Sequence, residues 1–183
     1  MLRMLNQFQK RWRRFARARR GHAAVEFALV AMPFFMLTVG LAEVAMIGYA
    51  QTTLDYSIAE EARRIRTGQA QTQGVSYTQI QSDLCQQINS LMVASCQNNL
   101  YLDVERFDSF VAANNGNQTP ISNNQFQTSG FGYSPGAPSD IVVVRAYYRW
   151  KVLTPVFQNI FANVSGGERI LVSTMMFRNE PYQ

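Results

Sequence analysis

The side chains best placed to do chemistry in this sequence are two glutamates inside an apolar stretch. Glu26 and Glu43 are the only acidic or basic residues between Ala23 and Ala50, and such a group in an apolar segment is costly unless it finds a partner or a function. The only histidine, His22, stands four residues before Glu26 and directly after Gly21, which closes a basic run. Four residues are one helical turn, so a cation at position 22 can pair with Glu26 in its own chain or in a neighbour. The plainer reading is an interfacial carboxylate that snorkels into the headgroups. Glu43 has the same two readings, an assembly contact or ordinary interfacial solvation. Cys85 and Cys96 are the only cysteines.

The remaining polar residues argue against catalysis. Beyond residue 50 there is no histidine to activate a serine or cysteine, no phosphate-binding Gly-x-x-x-x-Gly-Lys-Ser/Thr and no clustered metal ligands. Asp103, Glu105 and Asp108 offer carboxylates for a hydrolase, but alternating strand residues more commonly face water. Tyr147, Tyr148 and Trp150 read as sheet packing and not as a ligand site. Met32, Met36 and Met46 read as lipid or helix contacts. Arg63, Arg64 and Arg66 suit a helix C-terminus. No enzyme activity, cofactor or metal is expected.

Charge and hydropathy place these groups. Arg3, Lys10, Arg11, Arg13, Arg14, Arg17, Arg19 and Arg20 put eight cations and no acid into the first twenty residues, and the remaining nine cations face twelve acids, leaving −3. The basic balance thus belongs to a leader over 1–21 and gives no support for a nucleic-acid partner. A basic run before an apolar one is held on the cytoplasmic side, which directs the rest of the chain across the membrane. Residues 22–50 predict a transmembrane helix, with 16 uncharged residues between Glu26 and Glu43. Pro33 predicts a kink there and not an end. The amphipathic stretch 51–68 continues the helix to about Arg66, with Gly68 as its C-cap. In an oxidising exterior, Cys85 and Cys96 suit one local disulfide; two free buried thiols are the alternative.

Residues 69–183 predict a small α+β domain. A polar linker over 69–74 precedes a helix carrying Ile80, Leu84, Ile88, Leu91 and Met92 on one face. Alternation in 100–105 and in 141–152 predicts two strands, and 168–182 a third. Thr154 and Pro155 signal the start of a helical turn. Residues 113–139 have the composition of a long exposed loop. Short connections make the last two strands antiparallel neighbours in a three- or four-stranded sheet packed on helices.

The phrase RRGHAAVEFALVAMPFFMLTVGLAEVAMIGYAQ resembles the type IV prepilin class and, with its helix proline and the Gly40/Glu43 pair, the TadE-like family. Phe177-Arg178-Asn179-Glu180-Pro181-Tyr182 is similar to that family's ending. The resemblance implies cleavage between Gly21 and His22 by a prepilin peptidase, with retention of the apolar run, unlike an ordinary signal peptide. It implies that the new ammonium at His22 pairs with Glu26 during subunit assembly. It further implies a minor pilin or pseudopilin of a tight-adherence (Flp-type) pilus, single-pass in the bacterial inner membrane, with a cytoplasmic N-terminus and a periplasmic domain. Its partners would be other pilins or pseudopilins, inner-membrane pilus assembly proteins and membrane lipid. The competing expectation is an uncleaved signal-anchored envelope protein whose outer domain is a binding module.

Overall fold

The apolar run and its amphipathic continuation form one helix, α1 (His22–Arg66), of 45 residues, or about 67 Å at 1.5 Å per residue. The structure is a computed structural model and describes residues 22–88, 96–116 and 120–182. Pro33 lies inside α1, so the helix continues through it. Gly68 ends it in the left-handed region at φ 78°, its N–H donating to the Ile65 carbonyl at 3.0 Å. A glycine is needed here on two counts, since a Cβ would also overlap the Tyr182 ring.

The chain divides into two units, Met1–Ala42 and Glu43–Gln183. In the first, the described residues are the opening of α1, and its large side chains are exposed from Val25 to Leu41, including Phe27 at 72% and Leu29 at 71%. A helix apolar on all faces and uncovered by its own chain has the surface of a membrane span. It is long and apolar enough to cross a bilayer.

The second unit is built on a three-stranded antiparallel sheet in the order β1 (Leu100–Phe107), β4 (Ile141–Lys151), β5 (Glu168–Arg178). Ala50, Leu54, Ile58, Ala62 and Ile65 recur every three or four residues along α1 and are buried, the spacing that lines one helical face. Ala50, Leu54, Ile58 and Ile65 join Ile80, Leu84 and Ile88 of α3 (Tyr77–Ile88) and Leu100, Leu102, Val104, Val142, Val144 and Ala146 of the sheet in one core. Full burial of Leu54, Ile58 and Ile65 contributes about 1.5–3 kcal/mol each. Leu91 and Met92, expected on the same helical face, lie outside the described residues, and so does the leader. The expected linker at 69–74 contains one helical turn, α2 (Gln69–Thr72), whose Ala70 is buried.

The opposite sheet face departs from expectation. The stretch 113–139, expected as exposed loop, provides much of the cover for that face. It includes the end of α5 (Phe110–Asn115) and a two-residue hairpin, β2 (Ile121–Ser122) with β3 (Gln125–Phe126). Ile121, Phe126 and Phe131 pack with Tyr101 on Tyr147, Val164 and Ile170, and the Phe131 and Tyr147 rings stack at 5.0 Å. Backbone bonds between Val104 and the Gly132–Ser134 segment close the free edge of β1. A polar composition thus hid Ile121, Phe126 and Phe131, which cover a sheet face.

Candidate functional site

In the first unit the site is one helical turn. His22 Nδ1 lies 3.6 Å from Glu26 Oε1, with side-chain exposures of 76% and 70%. The four-residue interval on α1 is sufficient to bring them together. At such exposure the pair contributes little to stability and leaves both groups open to another molecule. Gly21 lies outside the described residues.

Glu43 has a different setting. It is 1% exposed, and its carboxylate accepts from the Leu153 N–H at 2.9 Å, the Thr154 N–H at 3.1 Å and the Thr154 hydroxyl at 2.8 Å. Pro155, which has no N–H, opens the 3₁₀ turn Pro155–Phe157 directly after these donors, and α6 (Gln158–Phe161) follows. Thr154 was expected to cap this turn with its own side chain. Its hydroxyl instead serves Glu43, and no side-chain cap bond forms at that end. The carboxylate accepts from the two backbone N–H groups that lead into the turn, Leu153 and Thr154, and not from those inside it that an N-cap side chain would serve. No sequence signal joins Glu43 to Thr154, 111 residues away.

Farther along α1, Arg64 Nη1 donates to Glu61 Oε2 at 2.8 Å and to Asp83 Oδ2 at 2.9 Å, tying α1 to α3. Burial pushes the Glu61 carboxyl above its ordinary value of 4.5, against the pull of the Arg64 guanidinium. Cys85 of α3 and Cys96 of α4 (Cys96–Asn99) form a disulfide with Sγ–Sγ 2.03 Å and Cα–Cα 5.6 Å. This clamps α3 to the start of β1.

The carboxylates considered for hydrolysis are structural. Asp103 is buried and accepts from Arg145 Nη1 at 2.8 Å and from the Gly132 N–H at 3.1 Å. Glu105 accepts from the same Arg145 nitrogen at 3.0 Å, while Asp108 pairs with Arg106 on the surface. Arg145 faces Asp103 directly in the antiparallel register, so the two charges meet as a cross-strand pair. Tyr147, Tyr148 and Trp150 are buried packing residues, as expected.

The chain's last residues lock the end of α1. The Glu180 N–H donates to the Arg66 carbonyl at 2.8 Å, and the Glu180 carboxylate lies 3.3 Å from Arg66 Nε. Asn179 Nδ2 donates to the carbonyls of Pro135 and Ala137, and the Tyr182 hydroxyl to that of Gly136. The Asn-Glu-Pro-Tyr ending therefore joins the helix terminus to the 135–140 turn by specific bonds.

Residues 21–63 match the model of a family described as TadE-like protein. The matched stretch runs from Gly21 to within one turn of the end of α1 and contains both Glu26 and Glu43. No curated protein and no solved structure matches the chain.

Proposed function

Taking the TadE-like character of residues 21–63 as premise, we propose that this chain is a minor pilin or pseudopilin of a tight-adherence (Flp-type) pilus. A prepilin peptidase cuts it after Gly21, the opening of α1 holds it in the bacterial inner membrane, and the second unit stands in the periplasm. It acts as a structural subunit or assembly factor, through association of apolar helices with other pilins or with assembly proteins.

The observation that carries this reading is a carboxylate one helical turn from position 22, on a helix whose apolar side chains are left exposed by its own chain. Cleavage would add an α-ammonium at His22, four residues from Glu26. A carboxylate drawn into hydrocarbon without a partner is costly, so a neighbour's ammonium gives it a reason to seat in one register. Glu43 is engaged inside the second unit, which leaves Glu26 as the accessible acid of the apolar run.

The test is N-terminal sequencing and intact mass of membrane-extracted protein, made with and without its peptidase. Peptidase-dependent appearance of a chain starting at His22 supports the reading; a chain still starting at Met1 overturns it. Glu26→Ala should leave cleavage intact while reducing piliation, and wild-type piliation would remove the pairing role. One observation favours the second reading, an uncleaved signal-anchored envelope protein: the His22 ring already stands near Glu26 without any cleavage. The same sequencing experiment separates the two.

A further inference from the structure

In the second unit, α1 begins at Glu43, and the three hydrogen bonds to that carboxylate hold Leu153 and Thr154 against this end of the helix. The segment so positioned is unusually apolar for a surface. Leu153, just before the 3₁₀ turn, is 60% exposed, Val156 within it 60% and Ile160 in α6 69%. The Phe157 and Phe161 rings of the same segment are half-buried and 5.6 Å apart. Val44, the residue after Glu43, is exposed as well, and so is Lys151 at the end of β4. Exposed aliphatic side chains and aromatic rings in one short segment, with a lysine next to it, are the composition of an element lying in a membrane interface.

We propose that the Leu153–Ile160 segment is a membrane foot. It inserts Leu153, Val156 and Ile160 into the headgroup and acyl boundary of the bilayer that the opening of α1 crosses. The inference rests on the reading of that opening as a membrane span. Lipid is favoured as the occupant by continuity: the foot is hydrogen-bonded to the residue at which the chain passes from the packed unit into the uncovered apolar run. A lipid surface that takes the apolar run begins within about one helical turn of Glu43, and interfacial elements bury their apolar side to a depth of about 5–10 Å. Glu43 thereby has a definite task. It holds the foot at the membrane end of the unit and satisfies two backbone donors that would otherwise need water there.

The experiment uses the full chain with its native disulfide, carrying one added cysteine labelled with the fluorophore NBD. Three variants are compared: Phe35→Cys in the apolar run, Ile160→Cys in the foot, and Val111→Cys as control. Val111 is 71% exposed and follows the end of β1 that pairs with Ile141, so it lies beyond the opposite end of β4, about 30 Å away at 3.3 Å per residue. Each is reconstituted in phosphatidylethanolamine and phosphatidylglycerol vesicles with and without doxyl-labelled lipid. The expected result is strong quenching at Phe35, a blue-shifted Ile160 label quenched about twofold more than the Val111 label, and a water-like Val111. Quenching at Phe35 with Ile160 no different from Val111 overturns the foot alone. No quenching at Phe35 overturns the membrane span and the foot together. A blue-shifted Ile160 label that ignores doxyl lipid and reverts as protein is diluted in lipid assigns the surface to a protein neighbour and also overturns the foot.

Discussion

Replacing Glu43 by glutamine isolates the bond set that joins α1 to the Leu153–Thr154 corner. Glutamine keeps the shape and one accepting oxygen, but its NH₂ would face donors now satisfied by a carboxylate at 2.8–3.1 Å. A hydrogen bond to a charged group contributes about 1.5–3 kcal/mol, and a buried donor left unpaired costs about 1–3 kcal/mol. Losing one of the three and weakening a second gives a destabilisation of about 3 kcal/mol. For a unit the size of Glu43–Gln183 this lowers Tm by roughly 10 °C. The assay is thermal unfolding of the purified full chain in detergent, followed by near-ultraviolet circular dichroism and by the fluorescence of Trp150, which is buried in the second unit. Thr154→Val removes only the hydroxyl donor and is expected to cost about 1–2 kcal/mol. Because both substitutions act on one contact, the double variant should fall short of their sum by about 1 kcal/mol. If Glu43→Gln melts within about 2 °C of the parent, or the double variant is simply additive, the carboxylate is not holding this corner.

Other elements give further expectations. Reducing the Cys85–Cys96 bridge opens a loop with a sequence separation of 11, for which chain entropy predicts a loss of about 3 kcal/mol; a denaturant midpoint unchanged by reductant would contradict it. Gly68→Ala places a Cβ in the left-handed region and into the Tyr182 ring, so it should cost more than the ~1 kcal/mol of an ordinary glycine substitution, and Tyr182→Ala in the same background should recover part of that loss on denaturant titration. Glu61 should make stability fall as pH rises from 4.5 through its raised folded value. Over that window the folded state holds the extra proton and loses it last. Glu61→Gln should flatten this part of the stability–pH curve, and an equally steep curve in the variant would show that another group causes the slope.

The apolar half of α1 was legible because its signals are local. Sixteen uncharged residues between two glutamates, a basic run before them and a four-residue interval from His22 to Glu26 need only helical geometry to be interpreted. The disulfide partners followed from a count of two. Strands β1 and β4 were visible as period-two patterns and β5 as a third strand, and the antiparallel pairing of the last two followed from the shortness of their connection, whereas the place of β1 on the other side of β4 did not. The end of α1 near Arg66 was written in Gly68.

What the tertiary structure decided depends on residues distant in sequence. Asp103 and Arg145 have the pattern of water-facing strand residues, and both are buried, Asp103 bonded to the Gly132 N–H and Arg145 to the Gly116 carbonyl of a segment with loop composition. Periodicity reports which side of a strand a residue occupies but not what later covers that side. Glu43 is the clearest instance. An acid near the end of an apolar run reads as an interfacial group by sequence alone, whereas folding brings it the donors of Leu153 and Thr154 from more than a hundred residues away. The Asn-Glu-Pro-Tyr ending likewise acquires meaning only when Glu180 meets Arg66 and Tyr182 closes on Gly68. Local pattern determined the elements and an apolar run long enough to cross a bilayer, and burial by distant segments decided which polar groups, like Glu43, hold the fold together, while Glu26 stays exposed.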